Sequence, residues 1–109
     1  MAKRIKLEDV RAVHCVGIGG IGVSAIARML TAMGKQVTGS DSGRSPITDA
    51  LVREGVRVQF GHRASNLPAG TDLVVYTKAV PDTNPELVAA RRKKIPCRSY
   101  AEMLGVVSR

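Results

Sequence analysis

Two hydrophobic periods alternate along the chain. After a basic leader, residues 1–6, the run Ala12–Val16 is β-type and ends at Gly17. Ile21, Ala25, Met29, Leu30 and Met33 then recur at helical spacing, and Gly34 supplies a left-handed stop. Residues 36–40 predict a second strand ending at Asp41, and Ser45 with Pro46 predicts a helix start whose helix ends near Gly55. Val56, Val58 and Phe60 alternate with Arg57 and Gln59, which predicts a third strand with one polar face. Beyond a linker containing Pro68 and Gly70, Leu73–Tyr76 is a continuous apolar run of the kind a parallel strand buried on both faces requires. Asn84 and Pro85 open a further helix that closes on the basic run 91–94. Residues 95–97 read as a fifth strand, and Ser99 with Glu102 predicts a capping box for a last helix. Strands alternating with helices over the whole length predict one parallel sheet covered by helices, in the doubly wound order 3-2-1-4-5.

With 109 residues the chain has room for a single domain. Hydrophobic residues make up 44% and charged residues 24%, which places it among folded rather than disordered chains. Lys and Arg number 17 against 9 Asp and Glu, a formal charge of +8 that favours an anionic partner. Phe60, Tyr76 and Tyr100 are its only aromatic residues, too few for the stacking platforms of single-strand nucleic-acid binders. No apolar run reaches the ~18 residues of a membrane span. The expected partner is an anionic small molecule in the cytoplasm, with neither nucleic acid nor a membrane.

Cys15 and Cys97 stand in apolar contexts on the first and fifth strands, two places apart in that order, roughly 10 Å at ~4.8 Å per strand. A disulfide brings Cα atoms within about 7 Å, so the two thiols should stay unbridged. With His14 and His62 as its only histidines and no Cys-x-x-Cys pair, the chain shows no metal-ligand spacing.

The chemistry concentrates in Gly17-Ile18-Gly19-Gly20-Ile21-Gly22, a G-x-G-x-x-G that leaves a strand and opens a helix. The first glycine permits the tight turn, the second lets backbone approach an anion, and the third allows close packing of helix and strand. Amides at the helix start then face a diphosphate. Asp41 ends the second strand 19 positions after Gly22, where dinucleotide folds place an acid on ribose hydroxyls. The loops after each strand share one edge of a parallel sheet, so Arg44, His62, Arg63, Lys78 and Arg98 are expected on the same edge as the glycine loop. Lys78 and His62 are read as close to the ligand, Arg63 and Arg98 as solvated charges. Arg91 to Lys94 complement the dipole at a helix C-terminus, and His14 is read as packed and hydrogen-bonded rather than catalytic. No catalytic residue can be assigned: neither a Ser/His/Asp triad nor a carboxylate pair can be assembled.

Together, His14-Cys15-Val16-Gly17-Ile18-Gly19-Gly20-Ile21-Gly22 and Gly39-Ser40-Asp41 resemble the N-terminal domain of the Mur ligase family. The likeness continues through Gly61-His62, Asn84-Pro85-Glu86, Ala89-Ala90-Arg91, Ile95-Pro96 and Ala101-Glu102-Met103-Leu104. The resemblance implies a Rossmann-like three-layer domain, residues 1–109, that holds the UDP part of UDP-N-acetylmuramic acid during peptidoglycan precursor synthesis. It places the diphosphate on Gly17, Ile18, Gly19, Gly20, Ile21 and Gly22, and nucleotide recognition near Asp41, His62 and the loop Thr77, Lys78, Ala79 and Val80. It further implies an ATP-dependent, amide-forming ligase of three domains, in which ATP and Mg²⁺ act in a central domain absent from this chain. The chain alone is then expected to be inactive as a ligase and to need no cofactor. One departure is Thr77-Lys78-Ala79, where the family usually carries paired small hydroxyl residues before the alanine. An NAD-binding domain of a dehydrogenase or regulator would share the glycine loop and Asp41, but no hydride-site residues are visible. A basic nucleic-acid-binding module would share the charge but lacks a recognition motif.

Overall fold

The computed structural model describes residues 4–108 and contains five parallel strands. They are β1 (Ala12–Val16), β2 (Gln36–Asp41), β3 (Arg57–Phe60), β4 (Leu73–Tyr76) and β5 (Cys97–Ser99), arranged β3-β2-β1-β4-β5 as predicted. The helices are α1 (Ile21–Ala32), α2 (Pro46–Arg53), α3 (Pro85–Arg92) and α4 (Tyr100–Val107). Residues 1–3 of the basic leader lie outside the described residues.

The side-chain period of two sorts each central strand into two cores. Val13 and Cys15 of β1 and Leu73 and Val75 of β4 join Ile26, Leu30, Leu51 and Met103 under α1, α2 and α4. Val16 and Val74 point the other way, into a smaller cluster with Leu67, Leu87 and Ala90 on the α3 side. Both faces of β1 and β4 are therefore covered, which is why β4 reads as an unbroken apolar run and β1 as one interrupted only by His14. The same parity sends His14 of β1 and Thr38 and Ser40 of β2 toward α3.

Local chemistry sets the element ends. Ser45 and Thr48 form a reciprocal capping box with Pro46 in the first turn of α2, and Ser99 and Glu102 do the same for α4. The Asn84 side chain accepts from the amides of Glu86 and Leu87 at the start of α3. Gly17 turns out of β1 at φ +79°, a left-handed conformation that glycine adopts without a Cβ clash.

The fifth strand is Cys97–Ser99 rather than 95–97. Lys94 at φ +60° and the bond from Ile95 N to Ala90 O close α3, so Ile95 belongs to the turn. Pro96 has no N–H to donate, and only its carbonyl joins the ladder, accepting from Val74 N at 2.9 Å. Arg98 thus sits within β5, not in a loop beyond it. Short 3-10 turns at Leu7–Asp9 and Ala64–Asn66 went unpredicted, as single turns have no periodicity to reveal them. Cys15 and Cys97 are both free thiols, as expected, and burial pushes the Cys15 thiol up to about 12.

The third glycine of the motif meets a different neighbour from the one expected. A Cβ on Gly22 would lie 2.7 Å from ring carbons of Tyr100, so the glycine brings α1 against α4 rather than against a strand. Gly22→Ala should overpack this contact and cost about 1–3 kcal/mol in urea unfolding. A loss below about 0.5 kcal/mol would mean that the Tyr100 ring yields without strain.

Candidate functional site

A cavity of about 610 Å³ opens at the C-terminal ends of β1, β2, β3 and β4. Its wall includes Gly17, Gly19 and Gly20 from the glycine loop, residues 41–45 after β2, His62 after β3, and Thr77, Ala79 and Val80 after β4. Pro81 and Asn84, on the approach to α3, complete the wall. β1 and β4 flank the topological switch point, where open α/β sheets leave a crevice for a ligand.

The structure distributes the predicted residues unevenly. Ile18 is fully buried beneath the loop, and its side chain belongs to the larger core. Ile21 and Gly22 border a neighbouring hollow with Tyr100 and Thr77, and Ile21 is 84% exposed. Lys78 is exposed and lies outside the cavity wall, between the wall residues Thr77 and Ala79. Arg44 lines the cavity, whereas Arg63 and Arg98 do not.

Backbone donors in the loop are largely engaged. Gly17 and Ile18 N–H both donate to Ser40 O, at 2.9 and 3.0 Å, and Gly20 N–H donates to Gly17 O at 3.0 Å. Gly19 N–H donates to Asp41 Oδ2 at 2.7 Å, while Asp41 Oδ1 accepts from Ser42 N–H at 2.7 Å. The first bond within α1 runs from Ser24 N–H to Gly20 O at 2.9 Å, so the amides of Ile21, Gly22 and Val23 precede it and have no intrahelical acceptor. These three amides, at the positive end of a 12-residue helix, are the loop's remaining donors for an anion.

Beneath the cavity lies a polar cluster in which His14 is packed and hydrogen-bonded as expected, but whose centre, Glu86, sequence reasoning missed. Glu86 of α3 is 0% exposed and ionised. Its Oε1 accepts from His14 Nε2 at 2.6 Å and from the Ser40 hydroxyl at 2.6 Å. Its Oε2 accepts from Asn66 Nδ2 at 3.0 Å and Arg63 N–H at 3.2 Å, and lies 3.3 Å from His62 Nδ1. Burial drives this carboxyl upward, but the hydrogen bonds from His14, Ser40 and Asn66, with the charge of His14, outweigh it and hold Glu86 at about 2. Glutamate in a first helical turn is normally a solvated partner of the helix dipole, so Asn84-Pro85-Glu86 gave no hint of burial. The available signal was parity: His14, Thr38 and Ser40 share one face of two buried strands, and buried polar groups need partners.

A glycine-rich turn at the switch point, helix-start amides and an acid at the end of β2 define a Rossmann-like nucleotide-binding domain. Residues 12–109 match the family model for the Mur ligase family, catalytic domain, and the chain belongs to the Mur ligase family. It is 49% identical over 104 residues to the UDP-N-acetylmuramate–L-alanine ligase of Myxococcus xanthus, covering 95% of this chain and 22% of that protein. The enzyme of the same name from Clostridium tetani is 44% identical over 99 residues, covering 91% of this chain and 22% of the relative. Among solved structures, the UDP-N-acetylmuramate-alanine ligase of Thermotoga maritima superposes with a TM-score of 0.82 at 38% identity, over 85% of this chain and 21% of that one. A murein peptide ligase from Psychrobacter arcticus gives 0.73 at 26% identity, over 80% of this chain and 18% of its own. The chain therefore spans about a fifth of the length of the relatives it matches.

The buried carboxylate makes stability depend on acid. Glu86 titrates at about 2 in the folded chain, below the ~4.3 of an unfolded glutamate, so the unfolded state binds more protons in between. Its stabilisation, on the order of 2–3 kcal/mol, is complete above about pH 4.5 and is lost as pH falls toward 2. Urea midpoints measured from pH 6 to pH 2 should fall through this window for the parent. They should fall less for Glu86→Gln, which starts lower, and parallel curves would remove Glu86 as the cause.

Proposed function

We propose that this chain is the substrate-binding domain of a UDP-N-acetylmuramate–L-alanine ligase, and that its cavity holds the UDP part of UDP-N-acetylmuramic acid. The observation that carries this reading is the convergence of glycine loop, Asp41 and His62 on one cavity, in a chain of this family. The diphosphate is assigned to the start of α1, where Gly20 joins the cavity to the hollow bordered by Ile21, Gly22 and Val23, with Arg44 as the cation in the cavity wall. Asp41, His62 and the loop 77–80 are assigned to the nucleoside. Lys78 acts on this reading at longer range, as an exposed charge beside the wall, where salt screens it.

On this reading ATP and Mg²⁺ act outside this chain. It has no G-x-x-x-x-G-K-[ST] loop, and among the described residues no three His, Cys, Asp or Glu side chains gather as metal ligands. The ligation step is therefore assigned to further domains of the complete, cytoplasmic enzyme, and the single domain 1–109 serves to present the substrate. Among the described residues no helix is long and apolar enough to cross a membrane.

Calorimetric titration tests the assignment. UDP-N-acetylmuramic acid and UDP should bind, whereas NAD and duplex DNA should not at physiological salt. A Cβ on Gly19 would lie 2.6 Å from Asp41 Oδ2 and 3.0 Å from Thr48 Cγ2, so Gly19→Val crowds the cavity floor and should weaken UDP binding at least tenfold. Lys78→Ala should weaken it a few fold at low salt and not at all at high salt. NAD binding tighter than UDP, or Gly19→Val matching the parent, would overturn the reading.

A further inference from the structure

His62 is the cavity residue whose hydrogen-bonding sense the structure dictates. Its Nδ1 points inward, 3.3 Å from Glu86 Oε2 and 3.1 Å from Ser40 Oγ. An ionised carboxylate can only accept. The Ser40 hydroxyl hydrogen is already committed to Glu86 Oε1 at 2.6 Å, so its oxygen also meets Nδ1 as an acceptor. Both neighbours therefore demand a hydrogen on Nδ1. A neutral imidazole carries one N–H, which leaves Nε2 with a lone pair. Among the described residues Nε2 has no partner, and the ring, 23% exposed, lines the cavity.

The carboxylate cannot readily turn away. Asn66 Nδ2 bridges Glu86 Oε2 and Gly61 O, at 3.0 and 2.7 Å, and Arg63 N–H holds the same Oε2 at 3.2 Å. His14 fixes the other oxygen from β1. Glu86 thereby anchors both the loop that carries His62 and the ring itself.

We propose that Glu86 and Ser40 hold His62 in its Nδ1–H form, so that Nε2 presents an acceptor that takes a hydrogen-bond donor of the nucleoside. Three groups of UDP supply such a donor, the imide N–H of uracil and the ribose 2′- and 3′-hydroxyls. Cytosine carries a lone pair where uracil carries its imide N–H, so an acceptor at that place favours uracil over cytosine. Glu86 is a positioning residue here, and His62 is the residue that touches ligand. The inference rests on reading the cavity as the UDP site, but the state of the ring can be measured without any ligand.

Long-range proton–nitrogen correlation spectra of the ¹⁵N-labelled, 109-residue chain, recorded in alkaline buffer, report which nitrogen of each imidazole is protonated. The His62→Ala spectrum assigns the ring by its missing signals. The parent should show Nδ1 protonated, and Glu86→Gln, which puts an amide in place of one acceptor oxygen, should move His62 toward the Nε2–H form. Titrations of UDP, CDP, 2′-deoxy-UDP and 3′-deoxy-UDP then locate the donor. If it is the imide, the parent prefers UDP to CDP about tenfold, and if it is a hydroxyl, UDP to the matching deoxy-UDP by a similar factor. In either case His62→Ala should remove that preference. A parent ring protonated at Nε2 would overturn the inference, as would His62→Ala changing all four affinities by one factor. Where Glu86→Gln does not fold, the parent spectrum and the His62→Ala titrations decide it unaided. Absence of UDP binding by the parent would count against the proposed function, while the ring spectrum would still judge the inference.

Discussion

One buried carboxylate joins the strands to the site. Glu86 enters from the first turn of α3 and collects donors from β1, β2 and the segment after β3. An unpaired charge at that depth would cost several kcal/mol, so the arrangement persists only because its acceptor positions are filled. Register supplies the donors. His14 pairs with Thr38 across β1 and β2, Val16 pairs with Ser40, and Ser40 pairs with Gln59 on β3. Slipping β2 by one residue would turn Ser40 to the opposite face and leave Glu86 short of a hydrogen bond. The polar cluster thus specifies register as well as carrying the loop that holds His62.

The two faces of the sheet divide the work. On the α1 side the core is apolar and close-packed, down to Gly39, where a Cβ would lie 2.8 Å from Ile18 Cβ and 2.9 Å from Cys15 O. That packing holds Ile18 under the turn, which explains how a residue in the middle of the glycine motif serves the fold with its side chain. On the α3 side a smaller apolar cluster leaves room for the Glu86 network. Rigidity on one face and directed hydrogen bonds on the other place the cavity between them.

Much of this was legible in the residues. Period and punctuation placed four of five strands and all four helices, because Gly34, Ser45-Pro46, Asn84-Pro85 and the Ser99/Glu102 pair each act within a few residues. The strand order followed from the alternation of elements, and the glycine loop, Asp41 and His62 meet at one cavity. What remained hidden was long-range. Glu86 lies 72 positions from His14 and 46 from Ser40, and nothing local to a first-turn glutamate marks it as buried. Residues 95–97 misled because Ile95 and Cys97 look like a strand, whereas Pro96 and the left-handed Lys94 delay the ladder by two positions. Lys78 was drawn toward the ligand by its place after β4, a backbone argument that does not say where a long side chain ends.

The bulk charge was the weakest guide to the site. Several cations are already engaged at the surface: Arg28 with Glu54 at 2.9 Å, Arg91 with Asp82 at 3.3 Å, and Arg44 with Asp49 at 3.2 Å. Exposed pairs of this kind contribute little to stability. Of the residues that line the cavity only Arg44 carries a permanent positive charge, and Asp41 faces it from the same wall. Asp41 also occupies the Gly19 amide, the donor that the second glycine of the motif would otherwise expose. The backbone donors left beside the cavity are therefore the amides at the start of α1, and Gly19 is not among them. The +8 of the whole chain is thus no measure of the charge at the cavity, where the fold sets one cation, one carboxylate and the start of a helix.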